Sequence, residues 1–216
     1  MAGIIMGEVD HPEPVVILAD GRFPSHSVPL SLLSSAATLI CCDGAADQAL
    51  AVGLTPSLVI GDLDTLQTDR ESLSGDVIRD KSQENTDLEK AIEWCINNGI
   101  WKVTLLGITG LRDDHTLANL HLLANFSGAI QLTAVTDYFT VTPVSSEHSF
   151  NAEAGRRVSL HCLGKPVRIT TEGLQYDLHG EVLSSSGHGI SNEATGVSFS
   201  VTVEHDTVLV FIAHPS

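Results

Sequence analysis

Carboxylates that follow short apolar runs are the residues of this sequence most able to do chemistry. They fall in four segments of the first half of the chain, residues 43–45, 61–65, 83–90 and 109–115. In an open α/β sheet, ligands bind outside the carboxyl ends of the strands, where such turns meet. Carboxylates gathered there repel one another, and a divalent cation removes that cost. Because Mg²⁺ usually binds together with a phosphorylated substrate, the pattern predicts phosphate chemistry on a metal.

Asp62 and Asp64 carry the strongest single signal, because they come directly after the apolar run 58–60. Two carboxylates two residues apart point the same way if strand geometry persists. A solvated acidic turn is the simpler alternative. Asp87 alone also fits an ordinary first-turn acid that the helix dipole favours, and Asp114 alone fits a helix N-cap. Only the combination of segments therefore favours a metal site.

The composition narrows the class of protein. The chain has 216 residues, 43% of them hydrophobic, and a net charge of −16. That charge argues against a nucleic-acid surface, because phosphate backbones are bound by basic patches. There is no glycine-rich phosphate loop and no paired zinc-ligand motif.

No apolar run approaches the ~20 residues that cross a membrane, and no apolar leader opens the chain, so we expect a cytoplasmic protein that does not interact with membranes. Four cysteines are too few for a disulfide framework, and we expect buried, reduced thiols.

The first two thirds of the chain alternate strand-like with helix-like patterns. Apolar runs at 57–60 and 102–106 predict strands buried on both faces. Thr86 opens a helix with capping-box spacing. A further helix is predicted over 114–125, with one apolar side: Leu117, Leu120, His121 and Ala124. Strands alternating with helices of this length predict an α/β domain over residues 1–143 with a mostly parallel sheet.

In the last third, polar and apolar residues alternate at period two. The segments 197–203 and 207–212 predict strands, and residues 204–206 between them look like the turn of a tight hairpin. We therefore expect a small all-β sandwich or barrel domain over residues 144–216. A domain of that size is marginally stable alone, so packing against the first domain or a second subunit would support it.

Taken in order, these segments resemble the thiamine pyrophosphokinase family. The family pattern runs Asp-Gly-Ala/Gly-Ala, Gly-Asp-x-Asp-Ser, Gln-Asp-x-Thr-Asp-x-x-Lys and Gly-Gly-Arg-x-Asp-His/Gln, then Gly-x-Ser-Asn in a C-terminal β-domain. The matching segments are 43–46, 61–65, 83–90, 110–115 and 189–192. Thr65, Glu84 and Leu111 depart from the pattern. The first two departures keep the chemistry, whereas Leu111 adds bulk where close backbone approach is expected.

The resemblance implies transfer of a pyrophosphoryl group from ATP to the hydroxyl of thiamine, which releases AMP. It implies Mg²⁺ as the cofactor, held against the triphosphate by Asp62, Asp64 and Asp87. Six residues are implied to be catalytic: Asp62, Asp64, Asp87, Lys90, Arg112 and Asp114. Six are implied to contact the nucleotide: Asp43, Gly44, Gly61, Thr86, Arg112 and His115.

The resemblance also implies that Ser191 and Asn192 of the β-domain contact thiamine, across the interface of a homodimer. Without the family resemblance, residues 187–192 would be interpreted as a simple turn.

Two rival functions remain as alternatives. A haloacid-dehalogenase-like phosphatase is one, because residues 59–66 nearly give Asp-x-Asp-x-Thr/Val, although Leu66 fails at the last position. A non-catalytic nucleotide-binding regulatory module is the other, and the accumulated carboxylates argue against it.

Overall fold

The N-terminal part of the molecule alternates strands with helices. The computed structural model describes residues 11–184 and 187–215. The elements in chain order are β1 (Val15–Leu18), α1 (Ser27–Ser34), β2 (Thr38–Cys42), α2 (Ala45–Ala51), β3 (Leu58–Gly61), a 3₁₀ turn (Arg70–Ser72), β4 (Asp76–Arg79), α3 (Asp87–Asn97), β5 (Lys102–Leu106), α4 (Asp113–Phe126) and β6 (Gln131–Val135). Helix α3 begins where the sequence predicted, since the Thr86 hydroxyl accepts a hydrogen bond from the Glu89 amide at 3.3 Å.

Six of these strands lie side by side in the order β4-β3-β2-β1-β5-β6, and each neighbouring pair is parallel. The chain builds outward from β1 to β4 and then returns to place β5 on the other side of β1. Strand β1 is buried on both faces, with Val15 and Ile17 in the core beneath α3 and α4, and Val16 and Leu18 in the core beneath α1 and α2. The strand order therefore reverses between β1 and β5, which is where ligands bind in such sheets.

The face that helix α4 turns to the core overlaps only partly with the predicted one, since Leu120 and Ala124 pack against the core. It buries Asn119, Leu122 and Leu123, whereas the side chain of Leu117 is 55% exposed. The Asn119 amide donates a hydrogen bond of 2.8 Å to the carbonyl of Ile108, just beyond β5. A buried amide needs such a partner, so this bond fixes the rotation of the helix. Apolar periodicity alone could not reveal it.

The C-terminal part is all-β. Its strands are β7 (Phe139–Val144), β8 (Glu147–Asn151), β9 (Arg157–Cys162), β10 (Val167–Glu172), β11 (His179–Leu183), β12 (Asn192–Glu193), β13 (Ser198–Glu204) and β14 (Val208–Ala213). Strands β7, β14, β9 and β12 extend the first sheet beyond β6 through antiparallel pairs, which makes it a mixed sheet of ten strands. The remaining four form an antiparallel sheet in the order β11-β10-β13-β8. The predicted boundary between residues 143 and 144 falls inside β7.

The coarse prediction of a helix-containing sheet followed by an all-β part is confirmed, but the predicted hairpin at residues 204–206 is wrong. Strand β13 pairs with β8 and β10, whereas β14 pairs with β7 and β9 in the other sheet. The turn, in which His205 has a φ of +68°, instead carries the chain across one shared core. That core includes Val201 of β13 and Val210 of β14. A period-two pattern describes strands in facing sheets as well as strands in one hairpin.

The four cysteines are free and buried, as expected. Burial raises the pKa of Cys41 to about 12 and that of Cys95 to about 12, so these thiols stay protonated at neutral pH. Among the residues that the structure describes, no helix has the length and apolar character needed to cross a membrane.

Candidate active site

Three carboxylates converge where β2 and β3 end. Asp43 follows β2, and Asp62 and Asp64 follow β3; each offers one oxygen, and these oxygens lie within 4.8 Å of one another. Their convergence does not come from continued strand geometry, since Leu63 between the two aspartates has a φ of +64° and is 7% exposed. Because Leu63 has this left-handed conformation, its side chain enters the core, and the carboxylates on either side of it stay outside the core.

Asp43 is the buried member of this group, at 3% exposure. One of its oxygens, Oδ2, accepts a hydrogen bond of 3.2 Å from the Asp64 amide. Its other oxygen, Oδ1, is buried without any hydrogen-bond partner among the described residues. An unpaired buried carboxylate oxygen is costly, and in a native structure it indicates an ion or water that completes the site.

Gly61 allows the groups around it to approach closely. A Cβ at this position would lie 3.1 Å from Cβ of Asp43 and 3.2 Å from Cγ of Asp87. Both distances are tighter than ordinary carbon contacts. The glycine therefore lets the end of β3 pass between the two carboxylates, and its predicted place in the site has a steric reason.

The carboxylates perturb one another's protonation in opposite directions. The negative charge of Asp62 raises the pKa of Asp64. The pKa of Asp62 is lowered, because its carboxylate accepts hydrogen bonds from the Asp64 amide at 3.2 Å and from the Gln83 amide group at 3.2 Å. Pairs of carboxylates pushed apart in this way are typical of functional sites.

Asp87 and Lys90 form an ion pair at the start of α3. The Lys90 ammonium lies 3.0 Å from Oδ1 of Asp87 and donates a further bond of 3.0 Å to the carbonyl of Asp80. The Lys90 side chain is 6% exposed and that of Asp87 is 29% exposed. Burial raises the pKa of Asp87, and Lys90 opposes that effect. The closest group of three carboxylates thus contains Asp43, whereas the sequence-predicted metal set contained Asp87.

Arg112 and Asp114 pair with each other at the N-terminus of α4. Nε of Arg112 lies 3.1 Å from Oδ1 of Asp114, and both side chains are 65% exposed. The hydrogen bonds from Arg112 lower the pKa of Asp114 to about 2. Arg112 and the neighbouring His115 line the cleft above the carboxylates, whereas Asp114 is absent from the described lining.

These groups surround a cleft of about 680 Å³, called here the acidic cleft. The sequence-predicted residues that line it are Asp43, Asp62, Asp64, Thr86, Asp87, Lys90, Arg112 and His115. Gly44 is not among the lining residues, but its amide donates a hydrogen bond of 3.0 Å to the hydroxyl of Thr65, which lines the cleft. A Cβ on Gly44 would lie 2.9 Å from that hydroxyl oxygen, so the close packing favours glycine.

Asp20 is a cleft residue that the sequence analysis missed. It follows β1 and accepts a hydrogen bond of 2.8 Å from the Gln48 side chain. Burial raises its pKa, and the negative charge of Asp43 contributes in the same direction. The sequence holds a signal for it, because Asp20 directly follows the short apolar run at residues 15–19.

The structure does not bring Ser191 and Asn192 into the acidic cleft of the same chain. Asn192 is 4% exposed, and its side chain donates a bond of 2.8 Å to the Tyr176 carbonyl and accepts one of 3.1 Å from the Tyr176 amide. Ser191 is exposed, with a φ of +60°. Within one chain the Asn192 side chain therefore clamps a turn, and Ser191 is the member of the pair that faces outward.

Fold and site together define an α/β protein with a carboxylate-rich cleft at a strand switch point and an appended β-sandwich. Residues 30–134 match the thiamin pyrophosphokinase catalytic domain, and residues 147–210 match the thiamin pyrophosphokinase vitamin B1 binding domain. The chain belongs to the thiamin pyrophosphokinase family, as the sequence motifs predicted.

Individual relatives agree with this assignment. The chain is 26% identical to thiamine pyrophosphokinase 1 of Oryza sativa subsp. japonica, over 93% of this chain and 87% of the rice protein. It is 22% identical to thiamin pyrophosphokinase 1 of Caenorhabditis elegans, over 81% of this chain and 83% of that protein. The crystal structure of the Bacillus subtilis thiamine pyrophosphokinase has the same fold, with a TM-score of 0.80, 21% identity and coverage of 94% of this chain and 99% of that one.

Proposed function

We propose that this protein transfers the pyrophosphoryl group of ATP to the hydroxyl of thiamine, giving thiamine diphosphate and AMP. The observation that carries the proposal is the unpaired, buried Oδ1 of Asp43 beside Asp62 and Asp64, in a chain of the thiamin pyrophosphokinase family. Neither rival function, the phosphatase or the non-catalytic module, is supported by the relatives. Their shared name instead specifies the reaction proposed here.

Mg²⁺ fits the carboxylates of the acidic cleft. Asp43, Asp62 and Asp64 would hold it, since Mg²⁺ prefers oxygen ligands and Asp43 has a buried oxygen without a partner. Asp87 stays a predicted fourth participant, with its charge partly balanced by Lys90. When bound, the ion would neutralise charge on the triphosphate.

The residues of the chain would position the reactants and move one proton. The thiamine oxygen forms a bond to the β-phosphorus, the bond from that phosphorus to the α-phosphate oxygen breaks, and AMP leaves with the electron pair. The hydroxyl proton passes to a carboxylate of the cleft. Arg112 can contact transferring oxygens with its planar guanidinium, after exchanging Asp114 for phosphate. His115 would complete the nucleotide side of the cleft.

One assay decides among the candidate functions. ATP, Mg²⁺ and thiamine are incubated with the protein, and AMP, ADP and inorganic phosphate are separated by ion-exchange chromatography. Equal amounts of AMP and thiamine diphosphate support the proposal. Inorganic phosphate would indicate the phosphatase, and the absence of any product would indicate the non-catalytic module.

The stabilisation of the protein by Mg²⁺ should depend on pH. A carboxyl whose pKa is raised in the folded state, as for Asp64, holds its proton more tightly there than in the unfolded chain. The contribution of Asp64 to the free energy of unfolding without metal should therefore fall as the pH rises from the ordinary value of about 3.8 through the raised pKa. Mg²⁺ binds the deprotonated group, so the increase in Tm on adding Mg²⁺ should be small near pH 4 and largest around pH 7. Differential scanning calorimetry measures this, with Asp43→Asn as the variant that should lose the increase. A Tm increase of equal size at both pH values would contradict the assignment.

We also propose that residues 1–143, with a mostly parallel sheet, and residues 144–216 act as catalytic and thiamine-binding domains. The two family matches lie on either side of this boundary. Ser191 and Asn192 of the second domain would contact thiamine. They would do so in a homodimer in which the β-domain of one chain lies against the acidic cleft of its partner. Exposed apolar side chains at both places, Ile190 near the turn and Leu111 at the cleft, support such contact. The buried, reduced thiols support a cytoplasmic location.

The homodimer predicts complementation between two inactive chains. Asp62→Asn removes a cleft carboxylate, and Ser191→Lys places a positive charge where cationic thiamine would bind. After subunit exchange, about half of the molecules in an equal mixture are heterodimers with one intact site, so roughly a quarter of the parental activity should return. Thiamine diphosphate formation is measured with each variant alone as the control. Analytical ultracentrifugation that finds a monomer would show that each chain forms its site alone. The same would follow if the mixture regains no activity although the subunits exchange.

A further inference from the structure

Arg79 ends the edge strand of the first sheet, next to the loop that carries Asp62 and Asp64. Strand β4 is the last strand of that sheet and pairs in parallel with β3, in a register that sets Arg79 beside Gly61. The Asp80 amide then donates a hydrogen bond of 2.8 Å to the Gly61 carbonyl, so the two strands end together. Strand pairing therefore fixes the backbone of Arg79 beside the metal-site loop.

The Arg79 side chain bonds to the backbone of a proposed metal ligand. Its Nε donates a hydrogen bond of 3.1 Å to the carbonyl oxygen of Asp62. Among the described residues, Arg79 is the only donor to that carbonyl, and no carboxylate forms an ion pair with Arg79. Charged residues on an edge strand usually protect it from pairing with other chains. That role needs no contact with a neighbouring loop, so the bond to Asp62 indicates a further role for Arg79.

The carbonyl that Arg79 binds lies in a turn with an unusual backbone. Leu63 has a φ of +64°, a costly conformation for a leucine, and its side chain is in the core. The Asp62 carbonyl belongs to the peptide group that joins Asp62 to Leu63, so its direction is coupled to this conformation. By bonding to that carbonyl, Arg79 stabilises the turn from which the carboxylates of Asp62 and Asp64 point out of the core.

The carboxylate of Asp62 is held by other donors. The Gln83 side chain donates a bond of 3.2 Å to its Oδ2, and the Asp64 amide donates one of 3.2 Å to its Oδ1. One oxygen of this carboxylate lies within 4.8 Å of oxygens of Asp43 and Asp64. Arg79 is absent from the described lining of the acidic cleft, whereas Gln83 lines it. Arg79 therefore acts on the site through the backbone of Asp62.

The charge of Arg79 and its hydrogen bond affect a bound cation in opposite directions. A positive charge beside three carboxylates repels Mg²⁺ and weakens its binding. A bond that keeps Asp62 in place reduces the cost of ordering a ligand and strengthens binding. The sign of the change on removing the Arg79 side chain therefore tells which of the two effects dominates.

We propose that Arg79 is a positioning residue for the metal site: by holding the Asp62 carbonyl, it keeps the Asp62 carboxylate where it can share a divalent cation with Asp43 and Asp64. This inference rests on the proposed function, in which Mg²⁺ binds these three carboxylates.

The test measures binding of Mn²⁺, which favours the same oxygen ligands as Mg²⁺, by electron paramagnetic resonance of the free ion, without ATP or thiamine. The buffer contains about 0.5 M KCl, which reduces the Debye length to about 4 Å and so screens the charge of the exposed side chain. Arg79→Met should raise the Kd for Mn²⁺ about 5-fold, the effect expected from the loss of one hydrogen bond. Arg79→Lys keeps a donor on a chain of similar length and should stay within about twofold of the parent.

The matched control is Arg70→Met. It removes the same charge from an exposed position in the 3₁₀ turn, where no side-chain bond from Arg70 to Asp62 is found among the described residues, and its Kd should stay within about twofold of the parent. The second readout is thiamine diphosphate formation at increasing Mg²⁺. In Arg79→Met the Mg²⁺ concentration that gives half the maximal rate should rise about 5-fold, whereas kcat at saturating Mg²⁺ should change less than about twofold. Because the Arg79 side chain is exposed, the variants should fold, and urea unfolding without metal checks this.

The outcomes separate this inference from the proposed function. If the parent makes AMP from ATP and thiamine but Arg79→Met binds Mn²⁺ as tightly as the parent or more tightly, the positioning role is wrong and the function stands. An equal loss of Mn²⁺ affinity in Arg70→Met would also overturn the inference, because charge alone would then explain the change. If Arg79→Met weakens Mn²⁺ binding and Arg70→Met does not, but the parent turns over no thiamine, the positioning role stands and the function fails.

Discussion

Replacing Asp62 or Asp64 by Asn should lower kcat/KM at least ~100-fold while leaving the fold intact. Each change keeps the shape of the side chain and removes one negative charge from the group formed with Asp43, whose oxygens lie within 4.8 Å of one another. The metal-free variants should be as stable as the parent or more stable, because repulsion among the carboxylates is relieved. Thiamine diphosphate formation at saturating Mg²⁺ and urea unfolding without metal measure the two effects.

The matched control for this prediction is Asp76→Asn. Asp76 is exposed at the amino end of β4, at the opposite end of the strands from the cleft, so the same chemical change there should leave activity at the parental level. Parental activity in Asp62→Asn or Asp64→Asn would contradict the proposal that these two carboxylates hold Mg²⁺. An equal loss in all three variants would mean that overall charge, and not the site, is responsible.

Replacing Lys90 by Met should both destabilise the protein and abolish most of its activity. The ammonium of Lys90 is 6% exposed and lies 3.0 Å from the carboxylate of Asp87. Methionine fills a similar volume but leaves Asp87 without its partner beside Asp43 and Asp62. Removing one member of a buried pair costs about 3–5 kcal/mol, and because Asp87 is 29% exposed we expect about 2 kcal/mol here.

The double variant Lys90→Met/Asp87→Asn separates the two effects of this pair. Removing the second charge should restore most of the free energy of unfolding, because no buried charge is left uncompensated. Activity should stay low, since the carboxylate near Gly61 is then missing from the cleft. Urea unfolding near neutral pH measures the free energy, and a double variant no more stable than Lys90→Met would show that Lys90 acts by packing alone.

Much of the local structure could be predicted from the sequence, because its causes are local. Thr86 caps α3, and the apolar run at residues 58–60 forms β3 with Asp62 and Asp64 directly after it. Residue type and spacing are enough to specify a cap, a buried strand or an acidic turn. The same ordered segments predicted the family, which two matched domains then confirmed.

The composition of the candidate site was only partly predictable. The sequence predicted that the turns with Asp43, Asp62, Asp64 and Asp87 meet, and the resemblance named the last three as metal ligands. In the structure the closest group of three is Asp43, Asp62 and Asp64, and Asp87 has a lysine partner. Asp20 joins the cleft because β1 lies at the switch point. Which strand ends become neighbours depends on the order of strands in the sheet, and that order is set by contacts between residues far apart in the chain.

The sequence by itself determined the strands at residues 57–60 and 102–106, the helix that follows Thr86, where the acidic turns lie and to which family the chain belongs. Only the tertiary structure decided which face of α4 is buried, that β13 and β14 lie in facing sheets, and that Asn192 clamps a turn of its own chain. Each of these depends on a partner distant in sequence: Ile108 for α4, the shared core for the two strands and Tyr176 for Asn192. Periodicity records how a segment is buried, but hydrogen bonds and packing between segments decide what it is buried against.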